Sequence, residues 1–195
     1  NFKVNLIISS IAPWFHAMGF FSNLLAVTSM EFSLVYLWKF EPELYLSCIE
    51  KYKILTISVP PPLVVFLAKT PLFNKYDLSS LKVLMCGAAP LAQETEEQVK
   101  ARFNGDLIVL QGYGQTEATL GVLYGQFGVS KPGSVGQPIK GIYAKVIDEN
   151  GNSLGKNKTG ELCFKGDLIM KGYLGNDKAT REVIDKDGWL HSGDL

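Results

Sequence analysis

Apolar residues in the first two thirds of the chain fall into short β-branched runs of strand length, separated by stretches with helical spacing. "VNLIISSIA" reads as a strand and "AMGFFSNLLAV" as the helix after it; "SLVYLW" is a second strand and "EPELYLSCIEKY" an amphipathic helix. "KILTISV" then leads through Pro60–Pro62 into the apolar "LVVFLAK", and "LKVLMC" and "LIVLQ" are the fourth and fifth strands. Between those two lies the clearest helix. Pro90 suits its first turn, Glu94, Glu96 and Glu97 favour its N-terminal half, and Lys100 and Arg102 its C-terminal half. Leu91, Thr95, Val99 and Phe103 share one face, and Asn104-Gly105 is a stop signal. Near-continuously apolar strands alternating with helices predict an α/β fold: a mostly parallel sheet covered by helices on both faces.

The pattern changes after about Gly128. "GIYAKVIDENGNSLG" is an alternating strand running into a turn, and "TGELCFKG" is a short strand with no amphipathic helix in between, which predicts a small antiparallel β subdomain. With "KPGSVGQP" as the junction, the expected division is residues 1–128 and 129–195.

Composition narrows the function. With 195 residues, 47% of them hydrophobic, the chain can bury a substantial core. Nineteen Lys+Arg balance nineteen Asp+Glu, so no net field draws nucleic acid or an anionic membrane, and any anion must be bound locally. Cys48, Cys86 and Cys163 stand far apart, with no CxxC pair and no histidine nearby to complete a metal site, which reads as reduced intracellular thiols. The most apolar stretch, about residues 6–28, is interrupted by Pro13, His16 and Asn23 and reads as a buried strand plus helix rather than a membrane span. Lys3 before apolar residues mimics a signal peptide only weakly. The start at Asn1 and the end after "HSGDL" read as those of a piece of a longer protein.

In an open parallel sheet, ligands gather at the carboxyl ends of the strands, where turns expose backbone N–H groups. Three small-residue turns fall there: "APWFHAMG" after the first strand, "GAAP" after the fourth and "GYGQTEA" after the fifth. Their glycines and alanines allow backbone to approach a flat ligand, and Tyr113 offers a ring for stacking. Thr116 offers a hydroxyl to a phosphate, Glu117 a carboxylate to a hard cation such as Mg²⁺, and His16 a donor to an oxyanion. Plainer readings stand beside these: His16 as a structural histidine, Thr116 and Glu117 as helix-capping residues, Tyr113 as core, and Asp194 as a solvated turn carboxylate. "GYGQTEA" is not a dinucleotide fingerprint, and "GNSLGK" lacks P-loop spacing.

"QGYGQTEA", "KPGSVGQP", "MCGAAPL", "APWFHAMG" and "GELCFKGDLIMKGYLGNDKATREVIDKDGWLHSGDL" together resemble, in order and along nearly the whole chain, the motifs of the adenylate-forming superfamily of acyl-CoA synthetases, 4-coumarate-CoA ligases and beetle luciferases. The resemblance implies an enzyme that joins a carboxylic acid to ATP, releases pyrophosphate, and passes the acyl-adenylate to coenzyme A, with Mg²⁺ as cofactor. It implies that His16 contacts carboxylate and phosphate; that Gly87, Ala88, Ala89 and Pro90 pack on adenine, with Ala88 in place of a frequent glycine; and that Gly112, Tyr113, Gly114 and Gln115 form the adenine and acyl-pocket wall. It further implies that Thr116 contacts phosphate, Glu117 binds magnesium, Val135 lines the nucleotide site, Met18 and Leu120 face the acyl group, and Asp194 accepts the ribose hydroxyls.

Such enzymes also carry a phosphate loop ending in lysine and a C-terminal domain with an assisting lysine; nothing in these residues matches either, so the chain alone is expected to be inactive. Luminous members usually carry serine where this chain has Leu120, and a leucine there suits an alkyl or aryl chain. The resemblance therefore implies an acyl-CoA synthetase acting on a fatty or aryl acid, with a true luciferase, or a non-catalytic nucleotide- or acyl-binding scaffold, as alternatives. Charge balance and pattern imply no nucleic-acid partner and no membrane span, and the resemblance implies an intracellular, peroxisomal location, with the cytoplasm as the alternative.

Overall fold

The computed structural model describes residues 6–30, 32–129 and 131–195. Lys3, and Val4 and Asn5 of the expected first strand, lie outside them. The chain divides into two compact units, Asn1–Tyr113 with Gly125–Gly136, and Gly114–Tyr124 with Gln137–Leu195.

In the first unit, strands β1 (Ile7–Ser10), β2 (Ser33–Tyr36), β3 (Thr56–Val59), β4 (Val83–Cys86) and β5 (Ile108–Tyr113) pair in the order β2-β1-β3-β4-β5, all parallel. A π-helical segment, Met18–Leu25, continues as α1 (Ala26–Ser29) between β1 and β2; α2 (Pro42–Tyr52), α3 (Pro61–Lys69) and α4 (Gln93–Arg102) fill the later crossovers. Prolines at the first turns of α2 and α3 need no N–H there, and Lys53, in the left-handed conformation at φ 49°, closes α2.

Burial follows the pleat. Ile57 pairs with Leu84 and Val59 with Cys86, and all four are buried, whereas Thr56, Ser58, Val83 and Met85 are only partly so. Expected coverage of both faces holds for β1, where Ile8, Ser9 and Ser10 are all buried, but β3 and β4 bury one face fully and the other in part. Leu46 and Ile49 of α2, Val64 and Leu67 of α3 and Val99 of α4 complete this core. Arg102 ties α4 to α3: its Nη1 donates to the Thr70 carbonyl (2.7 Å) and the Ala68 carbonyl (3.2 Å) at the end of α3, and its guanidinium lies 4.2 Å from the Phe73 ring centre.

One expectation for α4 is corrected. The helix starts at Gln93, so Pro90 lies ahead of it in the turn, because Ala88 at φ 71° and the extended Ala92 hold residues 88–92 out of helical geometry. Glu96, in the N-terminal half as expected, is buried as the acceptor of Gln111 Nε2 (3.1 Å) and Lys100 Nζ (2.5 Å).

The second unit is antiparallel. β6 (Leu123–Tyr124) pairs with β7 (Gln137–Pro138), and β8 (Ile142–Ile147), β9 (Glu161–Gly166) and β10 (Leu190–His191) form a sheet in the order β10-β9-β8. Phe164 and Leu190, both fully buried, face each other across it. A short helix α5 (Asp177–Val183) precedes β10, its Ala179 N–H capped by Asn176 Oδ1 (3.1 Å). The pairing of His191 with Cys163 also corrects the expectation that no histidine lies near a cysteine: Nδ1 is 3.8 Å from Sγ.

Tyr45 is fully buried among apolar residues, and its hydroxyl meets no hydrogen-bond partner among the described residues; burial pushes its ionisation far above the ordinary phenol range. Removing an unpaired buried hydroxyl relieves a desolvation penalty. Tyr45→Phe is therefore expected to leave stability unchanged or raise it by up to about 1 kcal/mol in urea unfolding, whereas a loss of about 1 kcal/mol or more would show that the hydroxyl is bonded.

Candidate active site

Parallel pairing brings the carboxyl ends of β1, β4 and β5 to one edge of the first unit, and the three turns expected to matter emerge there. After β1, Ser10 Oγ accepts from the Ala12 N–H (3.1 Å) and from Asn23 Nδ2 (2.6 Å), which ties the turn to the π-helical segment. His16 is exposed, and its Nδ1 accepts the Met18 N–H (3.1 Å). A neutral ring used in this way carries its proton on Nε2, so His16 presents an N–H donor.

The turn after β4 meets the other two. A Cβ added at Gly87 would stand 3.4 Å from the Gly112 carbonyl oxygen and 3.6 Å from Met18 Cε, so Gly87 lies close to both the Gly112 backbone and the Met18 side chain. Ala88, Ala89 and Pro90 are exposed beside them. β5 runs two residues past the Cys86–Gln111 pair, to Gly112 and Tyr113, both half-buried. Beneath them Gln111 is fixed by Glu96, a support that the sequence reading missed. Val135 is half-buried in the same unit.

At Gly114 the chain enters the second unit. A Cβ there would lie 1.6 Å from the Leu120 carbonyl oxygen, so no side chain fits and the loop from Gln115 to Leu120 closes directly on the backbone. Within it, Thr116–Ala118 forms one 3₁₀ turn ended by Thr119 in the left-handed conformation (φ 64°). The turn is held from residues 168–173: the Glu117 carbonyl accepts the Met170 N–H (2.8 Å), Thr119 Oγ1 donates to the Leu168 carbonyl (2.5 Å), and Tyr173 Oη donates to Glu117 Oε1 (2.7 Å). The bond to the carboxylate raises the Tyr173 ionisation above its usual value. Tyr173 was not legible as a site residue, because the pairing spans 56 positions. Thr116 is exposed and Leu120 half-buried. A single oriented carboxylate beside a hydroxyl suits Mg²⁺, which keeps several waters and takes one or two carboxylates along with phosphate oxygens. Asp194 is exposed at the far end of this unit's sequence, with its backbone carbonyl accepting the Leu162 N–H (3.0 Å).

An open parallel sheet with glycine- and alanine-rich turns along its carboxyl edge is the framework of an α/β ligand-binding unit. Residues 2–174 match the AMP-binding enzyme family, and the chain belongs to that family. It is 42% identical over 196 aligned positions to a probable 4-coumarate–CoA ligase 3 of Dictyostelium discoideum, with 100% of this chain and 36% of that protein covered. It is 44% identical to the luciferin 4-monooxygenase of Photinus pyralis over 96% of this chain and 34% of that protein. The chain thus spans little more than a third of these curated relatives. Among solved structures, a red-emitting luciferase of Phrixothrix hirtus superposes with a TM-score of 0.78 at 42% identity, covering 97% of this chain and 42% of that one. The ATP-bound MatB of Rhodopseudomonas palustris superposes at 0.88 with 24% identity over 97% and 37%, a likeness of fold.

Ala88 takes, at φ 71°, a conformation that favours glycine. Ala88→Gly is expected to raise stability by up to about 1 kcal/mol, as relief of the left-handed penalty outweighs the added chain entropy. Thermal unfolding checks this; a clear loss would mean that the methyl group packs usefully in the turn.

Proposed function

We propose that a full-length enzyme carrying these residues activates a carboxylic acid with ATP and passes the acyl group to coenzyme A. The observation that carries the reading is the close approach of Gly87 to the Gly112 carbonyl and the Met18 side chain at the carboxyl edge of the parallel sheet, where small residues leave backbone accessible to a flat ligand. In this reading the Gly87–Pro90 turn and the Gly112–Gln115 segment receive adenine, with Val135 beside the nucleotide, and Asp194 accepts the ribose hydroxyls.

An acid oxygen attacks the α-phosphorus of ATP, and the bond to the β-phosphate oxygen breaks, giving acyl-adenylate and pyrophosphate. The His16 Nε2–H donor steadies the acid carboxylate and the phosphate oxygen facing it. Thr116 donates its hydroxyl to a phosphate, and Glu117, oriented by Tyr173, would hold Mg²⁺, which supplies charge neutralisation on the phosphates when bound. In the second half the coenzyme A thiol, losing its proton, attacks the acyl carbonyl and AMP departs.

Leu120 supports an apolar acyl chain, fatty or aryl, because a hydroxyl is absent from that position of the pocket wall. Similarity to luciferin 4-monooxygenase favours a second reading, oxidation of a luciferyl-adenylate by O₂ with light. No helix among the described residues is long and apolar enough to cross a membrane, and a peroxisomal site of action rests on the family resemblance alone.

Pyrophosphate release and acyl-CoA formation test the assignments. Glu117→Gln is expected to lower kcat/KM by about tenfold to a hundredfold, equivalent to about 1.4–2.8 kcal/mol of lost transition-state stabilisation. An unchanged rate would remove Glu117 from the metal role. Leu120→Ser is expected to reduce use of alkyl acids and to raise light from luciferin, the two activities moving oppositely. Strong light from the unmodified enzyme would establish the second reading instead.

A further inference from the structure

Ahead of Asp194, the second unit carries a cluster of charged side chains that the proposed chemistry does not use. Glu161, at the start of β9, employs both carboxylate oxygens on the segment leading out of β10: Oε1 accepts the Gly193 N–H (3.0 Å), and Oε2 lies 2.8 Å from His191 Nδ1. The other nitrogen of His191, Nε2, lies 3.7 Å from Asp185 Oδ2. Asp185 is itself fixed, since its Oδ1 accepts the N–H groups of Asp187 and Trp189 (both 2.9 Å), and these bonds with the charges of Lys145 and His191 hold its ionisation low against the opposing effect of burial. All three side chains are about a third exposed or less.

Gly193 stands at φ 76°, a left-handed turn that glycine adopts without steric cost but which has no side chain to hold it. The ladder to β9 skips this residue, from Ser192 N–H on the Leu162 carbonyl (3.2 Å) to Leu162 N–H on the Asp194 carbonyl (3.0 Å). Glu161 Oε1 satisfies the N–H left over at Gly193, and Ser192 Oγ takes that of Asp194 (3.1 Å).

We propose that Glu161, steadied by His191, is a positioning residue that sets the Gly193 turn and so aims the Asp194 carboxylate at the ribose of the nucleotide. The inference rests on the reading of Asp194 given above. A bidentate carboxylate that brackets both sides of a glycine fixes the direction of the next Cα–Cβ bond, and a carboxylate that accepts two ribose hydroxyls needs that direction fixed.

The same residues could be viewed as metal ligands, for one atom from each of Glu161, Cys163 and His191 lies within 4.8 Å of the others. The chemistry favours the positioning role. Burial and the neighbouring Glu161 push the Cys163 thiol up to about 11, so it keeps its proton at neutral pH, and Glu161 is already engaged through both oxygens.

The test uses a full-length enzyme carrying these residues, with KM measured separately for ATP, acid and coenzyme A. Glu161→Ala is expected to raise the ATP KM about tenfold while the KM values for acid and coenzyme A stay within about twofold. Glu161→Gln, which still accepts from Gly193 and can donate to a neutral His191, should recover most of that loss. In an Asp194→Ala background, Glu161→Ala should have no further effect on the ATP KM, because it acts through the missing carboxylate. Additive effects, or a uniform fall in kcat with every KM altered, would reduce Glu161 to a fold-stabilising residue and overturn the inference. An Asp194→Ala variant with normal ATP KM would remove the ribose reading itself, a failure visible in that single variant alone. Micromolar Zn²⁺ binding abolished by Cys163→Ser would assign the cluster to a metal and likewise overturn it.

Discussion

Parallel pairing of β1, β3, β4 and β5 is the constraint on which the first unit depends. Parallel strands need crossovers, and the crossovers place helices over the sheet; they also send each strand's carboxyl end to the same edge, so that three turns distant in sequence become neighbours. The buried pairs Ile57–Leu84 and Val59–Cys86 set the register, and a slip by one residue would turn them to the opposite face. With the register fixed, Gly87 arrives close to the Gly112 carbonyl.

The second unit solves a different problem with different means. It has no long helix, and its polar groups are held by side-chain bonds: Tyr173 on the Glu117 carboxylate, and the Asp185 and Glu161 carboxylates on backbone N–H groups of Trp189 and Gly193. The buried pair Phe164–Leu190 supplies the apolar anchor, and the carboxylates are oriented around it. Charged groups that would be mobile on a surface loop acquire fixed directions because each spends an oxygen on a neighbour.

Much of this was legible in the sequence. β-branched runs located β1 to β5, the proline run marked the start of α3, and the change to alternating polarity after Gly128 announced the antiparallel region. The three turns were legible because small residues at strand ends have few other uses. What escaped has physical causes. Pro90 suggested a helix start, but the left-handed Ala88 belongs to a turn whose geometry local propensity does not encode. The burial of Glu96 left no mark in the sequence, because its partner Gln111 lies on β5, beyond the end of the helix. α5 has no buried residue and so no apolar stripe to signal it, although Asn176 offered a capping signal. Tyr173 and Glu161 reach partners 56 and about 30 positions away, distances at which spacing carries no information.

The most direct measurement is a crystal structure of a full-length enzyme carrying these residues, bound to a non-hydrolysable acyl-adenylate analogue. The account predicts adenine against the Gly87–Pro90 turn and the Gly112–Tyr113 strand end, with both ribose hydroxyls on Asp194. An analogue bound at the amino edge of the parallel sheet, or one leaving these turns untouched, would contradict it.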